Sequence, residues 1–185
     1  RVTRRNKKLE GPFETFDRKG NRELTMYYVS NVLDGPSETF HRGKITTRRV
    51  YKRNLLNGES LIFDSSGNVT AKVCYLDGEL HGEAFYYSHG NLSKKVNYEM
   101  GYLDGVAEQY ADEGKLVNQS TYKKDILDGL AKFFSPTGEL IKVIVYENGI
   151  PNSEKSKTAT EELIDNKDHK TSVIGKISGI FRGEE

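Results

Sequence analysis

The spacing of six tyrosines constrains the fold of this chain more than any other feature of its sequence. They recur every 23 or 24 residues, at Tyr28, Tyr51, Tyr75, Tyr98, Tyr122 and Tyr146. Self-similarity at such a period indicates a repeat architecture, in which each unit buries its apolar side chains against its neighbours. The 185 residues therefore predict one elongated array of about six units.

Further columns of residues keep the same register as the tyrosines. A glycine stands eight residues before each of them: Gly20, Gly43, Gly67, Gly90, Gly114 and Gly138. A second glycine stands seven residues after the first five: Gly35, Gly58, Gly82, Gly105 and Gly129. Two residues later comes a small side chain: Ser37, Ser60, Ala84, Ala107 and Ala131. These small residues predict a close approach between adjacent units.

The turn-forming residues divide each unit into two strands. Three residues after each tyrosine stands a residue that tolerates positive φ: Asn31, Asn54, Gly78, Gly101, Asp125 and Gly149. Asp-Gly and Asn-Gly pairs at the second glycine, such as Asp34-Gly35, predict another turn there. Between the first glycine and the tyrosine, apolar residues alternate with polar ones, as in Val69, Ala71 and Val73. Each unit is therefore predicted to be a β-hairpin joined at its first glycine.

The predicted fold class is all-β: an elongated array of about six stacked antiparallel β-hairpins that form one twisted sheet. We expect the tyrosines to line one face, with Tyr75, Tyr98 and Tyr122 largely buried against the next copy. The predicted divisions are a basic N-terminal arm at 1–10, the hairpin array at 11–152, and a polar linker with an apolar C-terminal capping segment at 153–185.

The C-terminal segment is predicted to be helical or irregular, because residues 172–181 place apolar side chains at helical spacing. The last repeat is apolar on both faces, so its end needs a cover. We expect the stripe around Ile177 and Phe181 to fold back onto it. Self-association at this end is the competing interpretation.

The repeat pattern resembles MORN repeats, most closely the bacterial MORN-variant class found in YwqK-type antitoxin proteins. The residues that carry the resemblance are Tyr75, Gly78 and Gly82, the equivalent set one repeat later, and the aromatic-to-glycine turn from Tyr110 to Gly114. It covers roughly residues 11–152. The resemblance implies a hairpin-repeat fold of the MORN type, a bacterial protein, and an antitoxin-like role in neutralising a toxin.

No arrangement of residues in the sequence indicates catalysis, a metal site or a cofactor. The histidines, His41, His81, His89 and His169, have no metal-ligand spacing. Asp34, Asp104 and Asp128 follow the structural period, and Asn57 or His81 takes their place in other copies, which turn geometry allows and acid/base catalysis does not. We therefore predict no catalytic residue, no metal, no cofactor and no enzymatic activity.

The charge is distributed unevenly along a chain whose net charge is only +1. Residues 1–58 hold 14 Lys and Arg against 6 Asp and Glu, whereas residues 59–185 hold 14 against 21. The candidate partner-binding residues lie on the second repeat: Arg42, Lys44, Arg48, Arg49, Lys52 and Arg53. Arg18, Lys19 and Arg22 would extend this positive surface. A solvated sheet face is the plainer interpretation.

The function predicted from these observations is a non-catalytic binding module that presents an extended sheet surface to a protein partner. The alternative is an envelope or surface protein that associates with anionic membrane or polysaccharide through its basic N-terminal part. Nucleic-acid binding is not expected, because the acidic half offsets the positive field. The chain begins at Arg1 rather than Met, which favours a removed leader, so both the bacterial cytoplasm and the cell envelope remain open.

Overall fold

A computed structural model describes residues 1–158, which form strands and turns without a helix. The strands are β1 (Val2–Arg5), β2 (Lys8–Phe16), β3 (Arg22–Val29), β4 (Val32–His41), β5 (Lys44–Lys52), β6 (Leu55–Leu56), β7 (Gly58–Phe63), β8 (Val69–Leu76), β9 (Glu79–Leu80), β10 (Gly82–Ser88), β11 (Asn91–Glu99), β12 (Tyr102–Leu103), β13 (Gly105–Tyr110), β14 (Leu116–Lys123), β15 (Ile126–Phe134), β16 (Leu140–Glu147) and β17 (Ile150–Thr158). The predicted all-β class is confirmed.

The strands follow one another across a single open antiparallel sheet of 17 strands. Each long strand pairs with the next one in the chain, for example β2 with β3, β7 with β8 and β15 with β16. The predicted hairpins are confirmed, since every first glycine lies in the loop that joins the two strands of its unit. The units connect through the predicted left-handed residues, such as Asn54 at φ 69° and Asp125 at φ 67°.

The loops at the first glycines, called the hairpin tips here, are of two kinds. In the longer kind, the Asp64 carboxylate accepts hydrogen bonds from the backbone N–H groups of Ser66 and Asn68, at 2.8 and 2.9 Å. These bonds and that of the Asn68 side chain lower the pKa of Asp64. The shorter kind is a two-residue turn, as at Arg42-Gly43, where both residues have positive φ.

The second glycines do not form turns, which corrects the prediction from the Asp-Gly and Asn-Gly pairs. Asp34 and Gly35 lie inside the continuous strand β4, where the register with β3 shifts between Met26 and Tyr28. A β-bulge absorbs the extra residue, and glycine suits it because its φ is +129°. The sequence pair is a turn former in isolation, but sheet pairing on both sides overrides that local preference.

Each second glycine is instead the cross-strand partner of the next tyrosine. Gly58 pairs with Tyr75, Gly82 with Tyr98 and Gly105 with Tyr122. On its other side each of the first five tyrosines faces a leucine, as Tyr98 does Leu103, whereas Tyr146 faces Pro151. A Cβ added at Gly35 or Gly129 would lie 3.1 Å from Tyr27 or Thr121 on the preceding strand, so glycine allows the close approach of that side chain.

A second line of residues crosses the same face, and we call it the core row. Its members in order across the sheet are Met26, Ser37, Arg49, Ser60, Val73, Ala84, Val96, Ala107, Ser120, Ala131 and Ile144. Small residues alternate with larger ones as far as Ala107, after which Ser120 lies between two alanines. The predicted close approach at the small column is confirmed, because Ser37, Ser60, Ala84, Ala107 and Ala131 are between 1% and 6% exposed.

The repeat tyrosines are half-buried rather than largely buried, which corrects that part of the prediction. The core cluster consists of Val73, Ala84, Val96 and Ala107. Tyr75, Tyr98 and Tyr122 pack against it, together with Tyr86 and leucines. No second layer of strands or helices covers this sheet within residues 1–158, so the rings themselves are the cover and one side of each meets solvent.

The opposite face of the sheet carries ion pairs between neighbouring strands. They join Arg22 to Glu14, Arg48 to Glu38, Lys72 to Glu59 and Lys95 to Glu83, at 2.6 to 3.1 Å. All are partly exposed, and such pairs contribute little to stability individually. Together they place basic and acidic side chains next to each other on this face.

The sheet is longer than the predicted array at both ends. Residues 2–5 of the expected N-terminal arm form β1 and pair with β2, and β17 continues the sheet to Thr158. In the last repeat Val143 and Val145 are buried, whereas Ile141 is exposed. Ile177 and Phe181 lie outside the described residues, so the predicted cap and the competing self-association both stay predictions.

Candidate binding surface

The six candidate residues of the second repeat do not converge on one site. Arg42 and Lys44 lie at the hairpin tip, and Lys52 and Arg53 lie at the other end of β5. These ends are about 26 Å apart at the usual rise of a strand. Between them, Arg48 and Arg49 point to opposite faces of the sheet. A single small contact cannot use all six residues.

Two of the six side chains are already engaged within the sheet. The Arg48 guanidinium donates to a Glu38 carboxylate oxygen at 2.9 Å, and the Lys44 ammonium donates to the Ser65 carbonyl at 2.7 Å. Arg48 pairs directly with Glu38 across the strands, which explains the ion pair. Because Glu38 already neutralises the Arg48 guanidinium, Arg48 is less available than an unpaired arginine for contact with a partner.

The tips of the first two hairpins enclose a shallow cavity of about 760 Å³. Its lining residues are Phe16, Asp17, Arg18, Lys19, Asn21, Glu23 and Arg42. We call Arg18, Lys19 and Arg42 the tip cluster. These three basic side chains make no ion pair within residues 1–158, and Phe16 beside them is 39% exposed.

Local folding explains why the tip cluster is exposed and unpaired. Asp17 is the nearest acid in sequence, but its carboxylate accepts hydrogen bonds from the backbone N–H groups of Lys19 and Asn21, both at 2.8 Å. The Asn21 hydrogen bonds are the main cause of its lowered pKa. The turn therefore uses this carboxylate and leaves the neighbouring Arg18 and Lys19 side chains in solvent.

Sequence reasoning named Arg18, Lys19 and Arg42 but did not place them around one cavity. The signal was present, because Arg18-Lys19 and Arg42 occupy the tips of consecutive hairpins, and consecutive tips lie side by side in an antiparallel array. Phe16 was not among the predicted binding residues. Its exposure arises because it stands at the edge of the sheet, where no earlier tip covers it.

Three of the histidines and the cysteine lie within the described strands and turns, whereas His169 lies outside the described residues. His41 ends β4, and His89 lies in a tip turn with φ 50°. His81 Nδ1 lies 3.7 Å from a Glu99 carboxylate oxygen. Cys74 is a half-buried thiol of β8. No group of three or more His, Cys, Asp or Glu residues that could hold a metal occurs in the part of the chain that the structure describes.

Comparison with known proteins identifies the repeat in the second half of the array. Residues 80–100, 103–124 and 127–154 match the family described as MORN repeat variant. Each match runs from one inter-unit turn to the next and so includes one hairpin. No curated protein matches the chain. Within residues 1–158, no helix is long and apolar enough to span a membrane. Residues 80–154 of the array thus match the sequence pattern of MORN-variant repeats.

Proposed function

We propose that this chain is a non-catalytic binding module that engages a protein partner at its N-terminal end through the tip cluster. MORN repeats are generally binding modules, and the described sheet offers a long, rigid surface for such a role. The observation that carries the proposal is the set of three unpaired basic side chains, Arg18, Lys19 and Arg42, around the exposed ring of Phe16.

This combination suits recognition of an acidic protein surface. Arginine and aromatic side chains are enriched at protein interfaces, and a central aromatic anchor often supplies much of the binding energy. Surrounding charges contribute mainly to the association rate and to the choice of partner. Phe16 would supply the anchor, and the tip cluster would supply the charges.

The charge distribution along the array also supports partner binding at the N-terminal end of the molecule. Position in sequence corresponds to position across the sheet, because the strands follow chain order. Residues 1–58 carry an excess of basic side chains, whereas residues 59–158 hold 10 Lys and Arg against 15 Asp and Glu. An acidic partner would therefore be drawn to the first two repeats and repelled from the remaining ones.

The most concrete partner is a toxin that the chain would neutralise in a bacterium. This finer version rests on the resemblance to YwqK-type antitoxin proteins. Occlusion of an acidic surface on the toxin would need no catalysis by the chain. A neighbouring toxin gene would support this version, and a leader peptide upstream of Arg1 would favour the envelope alternative.

Charge reversal of the tip cluster tests the proposal directly. The triple variant Arg18→Glu, Lys19→Glu and Arg42→Glu should bind a partner, captured from the native organism, with a slower association rate than the wild type. The salt dependence of that rate should also fall, because long-range attraction is lost. The thermal midpoint should change little, since exposed charges contribute little to stability. Stopped-flow or surface-plasmon measurements at low and moderate salt would report the rates.

The matched control reverses two exposed lysines of the fifth repeat, Lys123→Glu and Lys124→Glu. This variant should retain the wild-type association rate. The proposal is wrong if the tip variant associates at the wild-type rate at both salt concentrations. Binding of the wild type to vesicles of anionic lipid, lost in the tip variant and without any captured protein, would favour the membrane alternative.

A further inference from the structure

Arg49 stands in the core row at a position where the equivalent residues of the other repeats are uncharged. Those residues are Met26, Val73, Val96, Ser120 and Ile144. Arg49 pairs across the sheet with Ser37 on β4. On its other side, β5 pairs with β7 through Thr47–Ile62 and Arg48–Leu61, so the same register sets Arg49 opposite Ser60. The arginine therefore lies between two serines.

The surroundings of Arg49 on the tyrosine face are neutral. Its neighbours along β5 on that face are Thr47 and Tyr51, and its neighbours across the sheet are the two serines. The Thr47 and Thr39 hydroxyl oxygens are hydrogen-bonded at 2.6 Å, so the Thr47 hydroxyl has its partner within the sheet. The half-buried Arg49 side chain makes no hydrogen bond, ion pair or ring contact within residues 1–158. A partly buried guanidinium without an acceptor is unfavourable.

Ser60 gives a second, independent sign that this part of the core row is unusually polar. Its residue is 3% exposed, and its hydroxyl is buried with no hydrogen-bond partner among the described residues. Ser37 is 4% exposed, and both serines occupy positions that later repeats fill with alanine. Buried polar atoms without partners are uncommon in folded proteins and need a reason. Arg49 and Ser60 are thus adjacent residues of the row whose polar groups lack a partner among the described residues.

We propose that Arg49, Ser37 and Ser60 form an oxyanion site on the tyrosine face that receives a carboxylate side chain of the protein partner. The guanidinium donates two parallel hydrogen bonds to a carboxylate, and the small flanking serines leave no acidic side chain beside it. One guanidinium with neutral neighbours balances one negative charge. This charge match favours a carboxylate over a phosphate dianion. The inference rests on the proposed protein-binding role and places a second contact away from the tip cluster.

The site would distinguish the second repeat from the rest of the array. In the later repeats the core row is apolar or carries Ser120, and it packs beneath the tyrosines as core. An arginine in that row packs less well than an apolar side chain, so Arg49 lowers the stability of the sheet while it provides a specific contact. We therefore expect Arg49→Val to raise the thermal midpoint of the full chain. Arg48→Val, on the opposite face one residue earlier, should not raise it, because that change removes the ion pair with Glu38.

Nuclear magnetic resonance titration with a tetraglutamate peptide tests the site without the natural partner. In the wild type, the Nε–H signal of Arg49 and the amide signal of Ser60 should shift and saturate together. Arg49→Val should weaken the saturation at Ser60 by about tenfold or more, the loss expected for one bidentate charge-assisted contact. Arg48→Val should leave the saturation at Ser60 unchanged. A parallel titration uses inorganic phosphate in place of the peptide.

Each outcome decides the proposal. Saturable peptide binding at Arg49 and Ser60, lost only in Arg49→Val, supports it. Absence of saturation at Ser60, or equal binding by Arg49→Val, overturns it. Saturation by phosphate at a lower concentration than by the peptide overturns the assignment to a carboxylate. None of these results depends on the tip cluster, so failure here leaves the test of the proposed function intact.

Discussion

Truncation of Tyr98 to alanine should lower the free energy of unfolding by about 3 kcal/mol, as expected for loss of a large aromatic side chain from a core. Tyr98 packs against the cluster formed by Val73, Ala84, Val96 and Ala107, and no other layer of the described sheet shields this cluster. Its hydroxyl also lies 3.3 Å from that of Tyr86. Loss of the ring would expose Val96, which is 1% exposed with Tyr98 present. Chemical denaturation of the full chain measures the effect.

Tyr102 is the matched control for this truncation. It lies four residues further along the chain, at the start of β12, and is 51% exposed. Tyr102→Ala should change the free energy of unfolding by less than about 1 kcal/mol, as surface substitutions usually do. Equal effects of the two truncations would show that the repeat tyrosines do not protect the core row.

Replacement of Gly129 by alanine should lower the free energy of unfolding by about 3 kcal/mol, because backbone strain and a steric clash act together. Gly129 has φ +117°, and a Cβ there would lie 3.1 Å from the Cβ of Thr121 on the neighbouring strand. The contact is with the first carbon of a β-branched side chain on a paired strand, so rotation of the side chain cannot relieve it. Thermal or denaturant unfolding would report the loss.

Gly138 separates the two causes of that loss. It also has positive φ, at +89°, but a Cβ there would meet no atom within 4 Å. Gly138→Ala should therefore cost only the backbone term, about 1 kcal/mol. The interpretation of Gly129 as a bulge position close to the adjacent strand would be wrong if Gly138→Ala destabilised the protein as much as Gly129→Ala.

The fold could be predicted from the sequence because each column has one local physical requirement. The first glycines and the left-handed residues mark the two ends of every strand, and alternation assigns the faces. The second glycines were misread because Asp-Gly predicts a turn in isolation. Only the pairing of β4 on both sides shows that Gly35 is a bulge opposite Tyr51.

The burial of the tyrosines could not be derived from the same pattern. Periodicity indicates which face a residue occupies, but not whether anything covers that face. In this sheet the small residues of the core row are more deeply buried than the tyrosines above them. Ala84 is 1% exposed, whereas Tyr98 is half-buried.

The candidate binding residues were predictable as a group but not as a site. Sequence position showed that the first two repeats are basic, yet pairing decides which cations are available. Arg48 meets Glu38 because the two are direct cross-strand partners. Arg49 is its immediate neighbour, but it faces two serines. The register across three strands supplies this distinction, and register is a long-range property that the local sequence does not specify.

Hydrogen-exchange mass spectrometry of the chain with its captured partner tests the central claim most directly. Backbone amides at a binding surface gain protection when the complex forms. We expect the gain within residues 1–63, at the first two hairpin tips and on β5 and β7 around Arg49 and Ser60, while residues 80–154 exchange as in the unbound chain. Protection confined to residues 80–154, with none at the basic end, would contradict binding through the first two repeats.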